Sequence, residues 1–276
     1  MAHDLAERPQ RWTDLRTRVL SAAVLAPVVL GCLWVGGTAF VVLVLLAAAG
    51  LSFEWLTICD CRPGTPAAAP FLAAVMGAAL SVVFGAAVLA LPILAAGAVL
   101  TWLLAPVATR SWFAIGVLYL GLGVAALLWL RDDGAVGRAH VLFILILVWA
   151  SDIGAYMVGR TVGGARLAPR ISPGKTWSGA VGGLLVAVTA ATVASYVMQP
   201  PSSLVMVMLA AAGLGIVAQV GDLFESLAKR HFGVKDSGHI IPGHGGLLDR
   251  LDALLAAAPV AAAFALVSGR GVVFWA

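Results

Sequence analysis

Long apolar runs, each closed by a charge, a proline or a glycine, recur along almost the whole chain. A helix needs about 20 mostly apolar residues to cross roughly 30 Å of hydrocarbon. Runs of that length fall at approximately 18–36, 38–58, 68–90, 92–109, 112–130, 140–159, 177–198, 203–225 and 252–274. The second contains Glu54, and the fourth follows its neighbour across Pro92 with almost no loop. The pattern predicts an all-α, polytopic membrane protein with about nine transmembrane helices.

Composition agrees. Hydrophobic residues make up 62% of the 276 and charged residues 11%, and the mean hydropathy is +1.02. No water-soluble globular domain carries that balance. Basic residues collect in loops kept on the cytoplasmic side of a membrane. With nine spans and the N-terminus in the cytoplasm, only Arg131, Arg138 and Arg270 of the 17 basic residues fall outside. The net charge of +4 is then an orientation signal that needs no nucleic-acid partner. The polar N-terminal stretch precedes an apolar run of full span length, which favours a retained anchor over a cleaved signal peptide, and no soluble domain is expected. Cys32, Cys59 and Cys61 are too few and too oddly placed for a disulfide framework and read as free thiols.

The two halves differ. Residues 1–138 hold few polar groups within their spans and read as transmembrane scaffold, with Gly and Ala faces for close packing and possible homodimer contact. Residues 139–276 read as a catalytic region with two cytoplasmic loops, 160–176 and 226–251, too long to be simple connectors. Asp152 lies inside an apolar span, where a lone carboxylate costs several kcal/mol unless it faces a polar cavity or a partner such as Tyr156. The segment Ser172-Pro-Gly-Lys-Thr-Trp177 invites a P-loop reading, but Pro169 stands where that motif needs glycine and a loop is expected where it needs a strand. Lys175 and Thr176 are still candidates for phosphate contact at the amide end of a helix opening at Trp177. The alternative is an ordinary basic loop with an interfacial Trp.

Asp222, Glu225, Ser226 and Lys229 share one face near the end of the eighth span. Asp249 and Asp252 stand three apart at the start of the ninth. Two carboxylate-bearing helix ends thus flank one glycine-rich loop, a set of hard oxygen ligands suited to Mg²⁺ and phosphate. Lys229, Arg230, Lys235 and Arg250 supply positive charge. Pro242, Gly243, Gly245 and Gly246 let backbone approach a ligand closely. His239 and His244 are off helical register and lack Cys support, so zinc is not expected and contact with phosphate or loop backbone suits them better. Asp132 and Asp133 read as a solvated turn. Glu54 either lines the same cavity or pairs with a basic residue.

These residues resemble a known family, the phosphatidate cytidylyltransferases or CDP-diacylglycerol synthases. Its pattern of Ser, two residues, Lys-Arg, four residues, Lys-Asp, then Pro-x-His-Gly-Gly-x-x-Asp-Arg-x-Asp is met by Ser226, Lys229, Arg230, Lys235, Asp236, Pro242, His244, Gly245, Gly246, Asp249, Arg250 and Asp252. The stretches Ser151-Asp-Ile-Gly-Ala-Tyr156 and Ala168-Pro-Arg-Ile-Ser-Pro-Gly-Lys-Thr-Trp177 are similar to further family segments. Ile153 replaces the usual Thr, and Ser178 the usual Glu.

The resemblance implies transfer of a cytidylyl group from CTP to phosphatidic acid, giving CDP-diacylglycerol and pyrophosphate in phospholipid biosynthesis, with Mg²⁺ as cofactor and two cations in all. It implies Asp222 and Asp249 as metal ligands, and Lys229, Arg230, Asp236 and Arg250 beside them as catalytic residues. Asp152, Lys175, Thr176, Ser226, Lys235, His244, Gly245 and Gly246 are expected to bind substrate. The location is the inner membrane, with the active site facing the cytoplasm. Two rivals stay open: a CTP-dependent kinase of polyprenol-type lipid alcohols, and an ion-coupled transporter using Asp152, Asp222 and Glu54.

Overall fold

The computed structural model describes residues 8–61, 65–238, 240 and 245–275, with the helix alone described at 8–20 and 22. Its helices are α1 Arg8–Val35, α2 Gly37–Ile58, α3 Ala68–Val83, α4 Ala90–Leu104, α5 Arg110–Arg131, α6 Gly137–Val162, α7 Trp177–Met198, α8 Leu204–His231 and α9 Leu248–Ser268. A 3₁₀ turn, Ala87–Leu89, leads into α4. Seven of these segments are long and apolar enough to cross a membrane, while Ala23–Val35 of α1 and the whole of α3 are shorter apolar helices. The chain is an all-α, multi-pass membrane protein. Large apolar side chains such as Trp34, Leu46, Leu91, Val197 and Val267 stand exposed around the bundle, the arrangement expected where lipid is the solvent.

Several boundaries differ from those the hydropathy pattern predicts. The third span stops at Val83 because Gly85, at φ +77°, turns the chain. Helix α8 runs on to His231, with Lys229 and Arg230 in its last turn, where cations suit the helix dipole. Helix α9 begins at Leu248, so Asp249 lies in its first turn. The connection before α7 is not an open loop: β1 Arg166–Ala168 pairs antiparallel with β2 Ser172–Thr176, placing Arg166 opposite Thr176. A strand therefore does precede α7. It contains Gly174, Lys175 and Thr176 itself, and Pro169 still denies the P-loop spacing.

Small residues set the helix spacing. As the numbering rises along α6 the contacted numbering falls along α7, so the two run antiparallel. A Cβ at Gly183 would lie 2.7 Å from the Ser151 carbonyl oxygen, and one at Gly179 would lie 2.9 Å from that of Ala155. Only glycine permits this approach. On the other side of α8, the rings of Trp55, Tyr119 and Phe224 stack or tilt at centroid distances of 5.0 to 6.2 Å, joining α2, α5 and α8. The indole of Trp55 also donates to the Trp112 carbonyl at 3.0 Å.

Asp133 is not the solvated residue expected. It is 3% exposed and accepts a hydrogen bond from the Gly271 amide at 3.0 Å. Segment 269–275 folds back over the α5–α6 turn: the Phe274 amide donates to His140 Nε2 at 3.3 Å, and Trp275 stacks on Phe143 at 4.5 Å. Asp132 remains exposed as expected.

Candidate active site

A cleft of about 430 Å³ opens between α6, α7, the β-hairpin and α8. Its polar lining consists of Ser151, Asp152, Tyr156 and Arg160 from α6, Arg166, Lys175 and Thr176 from the hairpin, and Gln219 and Asp222 from α8. Lys175 Nζ and an Asp222 carboxylate oxygen form an ion pair, with the two side chains 28% and 32% exposed. Asp152 faces the same space one helix away, within electrostatic range of both Asp222 and Arg250. No bond joins Asp152 to Tyr156, whose hydroxyl accepts from Arg160 at 3.2 Å. Thr176 lines the cleft but spends its hydroxyl oxygen on the α7 cap, accepting from the Gly179 amide at 3.1 Å. The Ser178 hydroxyl donates to the Gly163 carbonyl, which ties α7 to the end of α6.

The expected residues of the second loop form a separate, denser network behind this cleft. Lys229 Nζ lies 2.7 Å from Glu225 Oε2 and 2.5 Å from Asp249 Oδ1. Asp249 Oδ2 accepts from the Ser237 amide at 3.1 Å, the Ser237 hydroxyl at 3.0 Å and the Gly246 amide at 3.0 Å. The Gly246 amide can reach Asp249 because the chain reverses at Gly245, where φ is +83°. Asp252 is buried and lies within electrostatic range of Asp222, Glu225 and Asp152.

The other predicted residues lie outside both networks or at their edges. Arg230 donates to the Ile171 and Val234 carbonyls at 3.2 and 3.3 Å, fastening the end of α8 to the hairpin without lining the cleft. Lys235 and Asp236 are exposed on the turn after α8, Ser226 is half-buried on α8, and Arg250 is exposed at the start of α9. His239, Pro242, Gly243 and His244 lie outside the described residues.

One polar residue on the α8 wall of the cleft escaped the sequence reading. Gln219 donates to the Ala180 carbonyl at 3.0 Å and to the Ser151 hydroxyl at 3.3 Å. Its signal was available, since it stands three residues before Asp222 on the same helix face. Glu54 was noticed but misread. It neither lines the cleft nor pairs with a basic side chain among the described residues. It accepts from the Leu247 and Leu248 amides at 2.8 and 2.7 Å and from the Ser237 hydroxyl at 3.1 Å. Leu247, at the N-cap of α9, has no capping side chain of its own. A carboxylate from α2 fills the role because the first amides of a helix need acceptors and favour negative charge.

The oxygen-rich donor set is the kind that holds a hard cation, and Glu225 Oε1 is buried with no hydrogen-bond partner. Among the described residues no three His, Cys, Asp or Glu side chains converge closely enough to hold a metal by themselves. Among the described residues one or two carboxylates are therefore on offer, with Asp222 on the open side and Asp249 on the closed side.

Comparison with known proteins identifies a family and several relatives. The model of the cytidylyltransferase family matches residues 16–268. A phosphatidate cytidylyltransferase of Brucella melitensis biotype 1 is 38% identical over 253 residues, covering 89% of this chain and 91% of that one. Its namesake in Pseudomonas aeruginosa is 36% identical over 279 residues, covering 93% and 99%. One from Bacillus subtilis is 38% identical over 149 residues, covering 54% and 55%.

Proposed function

The chain belongs to the cytidylyltransferase family, and from that premise we propose that it transfers the cytidylyl group of CTP to phosphatidic acid, forming CDP-diacylglycerol and pyrophosphate. One observation carries the reading most directly. The cleft places carboxylates from α6 and α8, both helices long and apolar enough to cross a membrane, against Lys175 of the hairpin. Such a site can receive one substrate from lipid and the other from water.

In the reaction an oxygen of the phosphatidate phosphate forms a bond to the α-phosphorus of CTP. The bond from that phosphorus to the oxygen bridging to the β-phosphate breaks, and pyrophosphate leaves in line. A phosphate monoester is already largely ionised near neutral pH, so no general base is needed. The protein's task is positioning and neutralising charge. Asp222 and Asp249 would hold Mg²⁺, with a second cation beside it, completing the coordination with phosphate oxygens and water. When bound, these ions supply Lewis-acid polarisation of the α-phosphoryl group.

Lys175 lines the cleft and is placed to meet phosphate oxygens there. Lys229 holds Asp249 and Glu225 apart from solvent, and Arg230 keeps the hairpin against α8. Ser226 on α8, Lys235, Asp236, Gly245 and Gly246 on the connection between α8 and α9, and Arg250 on α9 are assigned to the nucleotide, as is His244, and Asp152 bounds the lipid side. The excess of basic residues on the loops that carry the site supports a site facing the cytoplasm from the inner membrane. The α6–α7 pair would face lipid, the route by which phosphatidic acid arrives.

The test is to supply purified protein in detergent with phosphatidic acid, Mg²⁺ and CTP labelled at the α-phosphate. Label entering the lipid phase with equimolar pyrophosphate is the expected result. Label remaining aqueous as CDP, with a polyprenol acting as acceptor, would replace this reading with a lipid-alcohol kinase.

A further inference from the structure

Glu54 is 1% exposed, and its partners lie 183 to 194 residues further along the chain. It belongs to α2, in the half of the molecule that reads as scaffold, yet the three hydrogen bonds it makes among the described residues all go to the segment carrying Asp249. The loop is built around it. A Cβ on Gly238 would lie 2.7 Å from Glu54 Oε1, and one on Gly246 would lie 2.8 Å from Oε2. Both glycines therefore leave room for this carboxylate and no more.

The Ser237 hydroxyl carries one hydrogen and faces two carboxylates, Glu54 Oε2 at 3.1 Å and Asp249 Oδ2 at 3.0 Å. It can donate to only one at a time. When Asp249 gives its oxygen to a cation, the hydrogen has Glu54 to turn to, so Ser237 stays seated and the loop does not open. Glu54 also anchors the first two amides of α9, one turn from which Asp249 projects. Orientation of Asp249 thus depends on Glu54 twice, through the helix backbone and through Ser237.

We propose that Glu54 is a positioning residue for the cation-dependent reaction: it never touches substrate and acts by fixing Asp249. This rests on the reading of Asp249 as a cation-holding residue. Groups that orient metal-bound side chains typically contribute about 10- to 100-fold to metal affinity. A residue that only stabilised the fold would change the amount of folded protein and leave the affinity of each folded molecule alone.

The experiment compares wild type, E54Q, E54D, S237A and the E54Q/S237A double variant as purified full-length chains. Mn²⁺ binding is read by electron paramagnetic resonance without substrates, alongside the Mg²⁺ concentration giving half-maximal rate. In E54Q one of the two α9 amides meets an amide donor in place of an acceptor. The expected result is weaker Mn²⁺ binding by about 10-fold or more, a matching rise in half-saturating Mg²⁺, and a near wild-type KM for CTP at saturating Mg²⁺. Adding S237A to E54Q should weaken binding by less than the product of the two single effects, since they act as one unit. Should E54Q fail to fold, S237A keeps the α9 anchor and carries the test alone. Wild-type Mn²⁺ affinity in folded E54Q, or in folded S237A should it carry the test, would reduce Glu54 to a helix cap. Absence of Mn²⁺ binding by the wild type would instead remove the cation reading of Asp249, and this inference with it.

Discussion

Asp222, within α8, and Asp249, in the first turn of α9, each hold a lysine, yet the molecule treats them differently. The Asp222–Lys175 pair lies in the open cleft, with side chains 32% and 28% exposed, and Lys175 joins it from the β-hairpin. Asp249 and Lys229 are both 12% exposed, and three further donors from Ser237 and Gly246 wrap the carboxylate. One carboxylate can exchange partners at little cost. The other is held in advance, as a charge must be when it works away from water. A site that joins a lipid to a nucleotide needs both properties: an accessible arm to admit substrate and a fixed point against which to register it.

The two aspartates should separate when both rate and stability are measured. D249N and D222N are each expected to lower turnover by about 10³-fold, the scale seen when a group stabilising transition-state charge is removed. Thermal melting divides them. D249N leaves Lys229 and the loop amides short of an acceptor and should melt clearly lower, since breaking a buried pair costs about 3–5 kcal/mol. D222N should melt near wild type, because partly exposed pairs contribute about 0–1 kcal/mol. Equal melting shifts would erase the distinction between the open and the fixed side.

Next in size is K175A, expected to cut kcat by about 10²-fold with no loss of stability; a wild-type kcat would remove Lys175 from phosphate contact. G246A presses on the fixed side, where its Cβ would lie 2.8 Å from Glu54 Oε2 and from the Gly238 amide nitrogen. Overpacking of that kind costs about 1–3 kcal/mol, read as a lower melting temperature together with weaker cation binding. The smallest effect belongs to R230Q. Its exposed guanidinium bonds only to backbone carbonyls, so stability should move by no more than about 0.5 kcal/mol. A loss of activity as deep as that of K175A would bring Arg230 into the cleft.

Much of this was legible from the chain itself, for reasons that also explain what was not. Spans such as α2, α5 and α7 announce themselves because hydrocarbon demands about 20 apolar residues and helical closure of every backbone bond. The acidic residues of α8 and α9 could be grouped because spacing of three along a helix implies a shared face. The β-hairpin was missed because its strands are three and five residues long, too short for any alternation to register. Asp133 looked like a turn residue because Gly271, whose amide it accepts from, comes from a segment that only the fold returns to it. Asp222 and Asp249 appeared equivalent since a sequence gives charges without their surroundings. Glu54 belongs to the same class: a carboxylate before a Trp says that something must satisfy it, and nothing nearby says what.

The order in which the chain is made gives Glu54 a further importance. Helix α2 leaves the ribosome early, whereas the amides of Leu247 and Leu248 that satisfy its carboxylate are synthesised more than 190 residues later. Throughout that interval the helix carries an unmatched acid at the edge of the bilayer, a state that costs free energy wherever it is not hydrated. Insertion of α9 therefore completes the first half of the protein as well as the second. Newly made chains are complete only once the last span is in place, and chains halted before it should be the ones that membrane quality control removes.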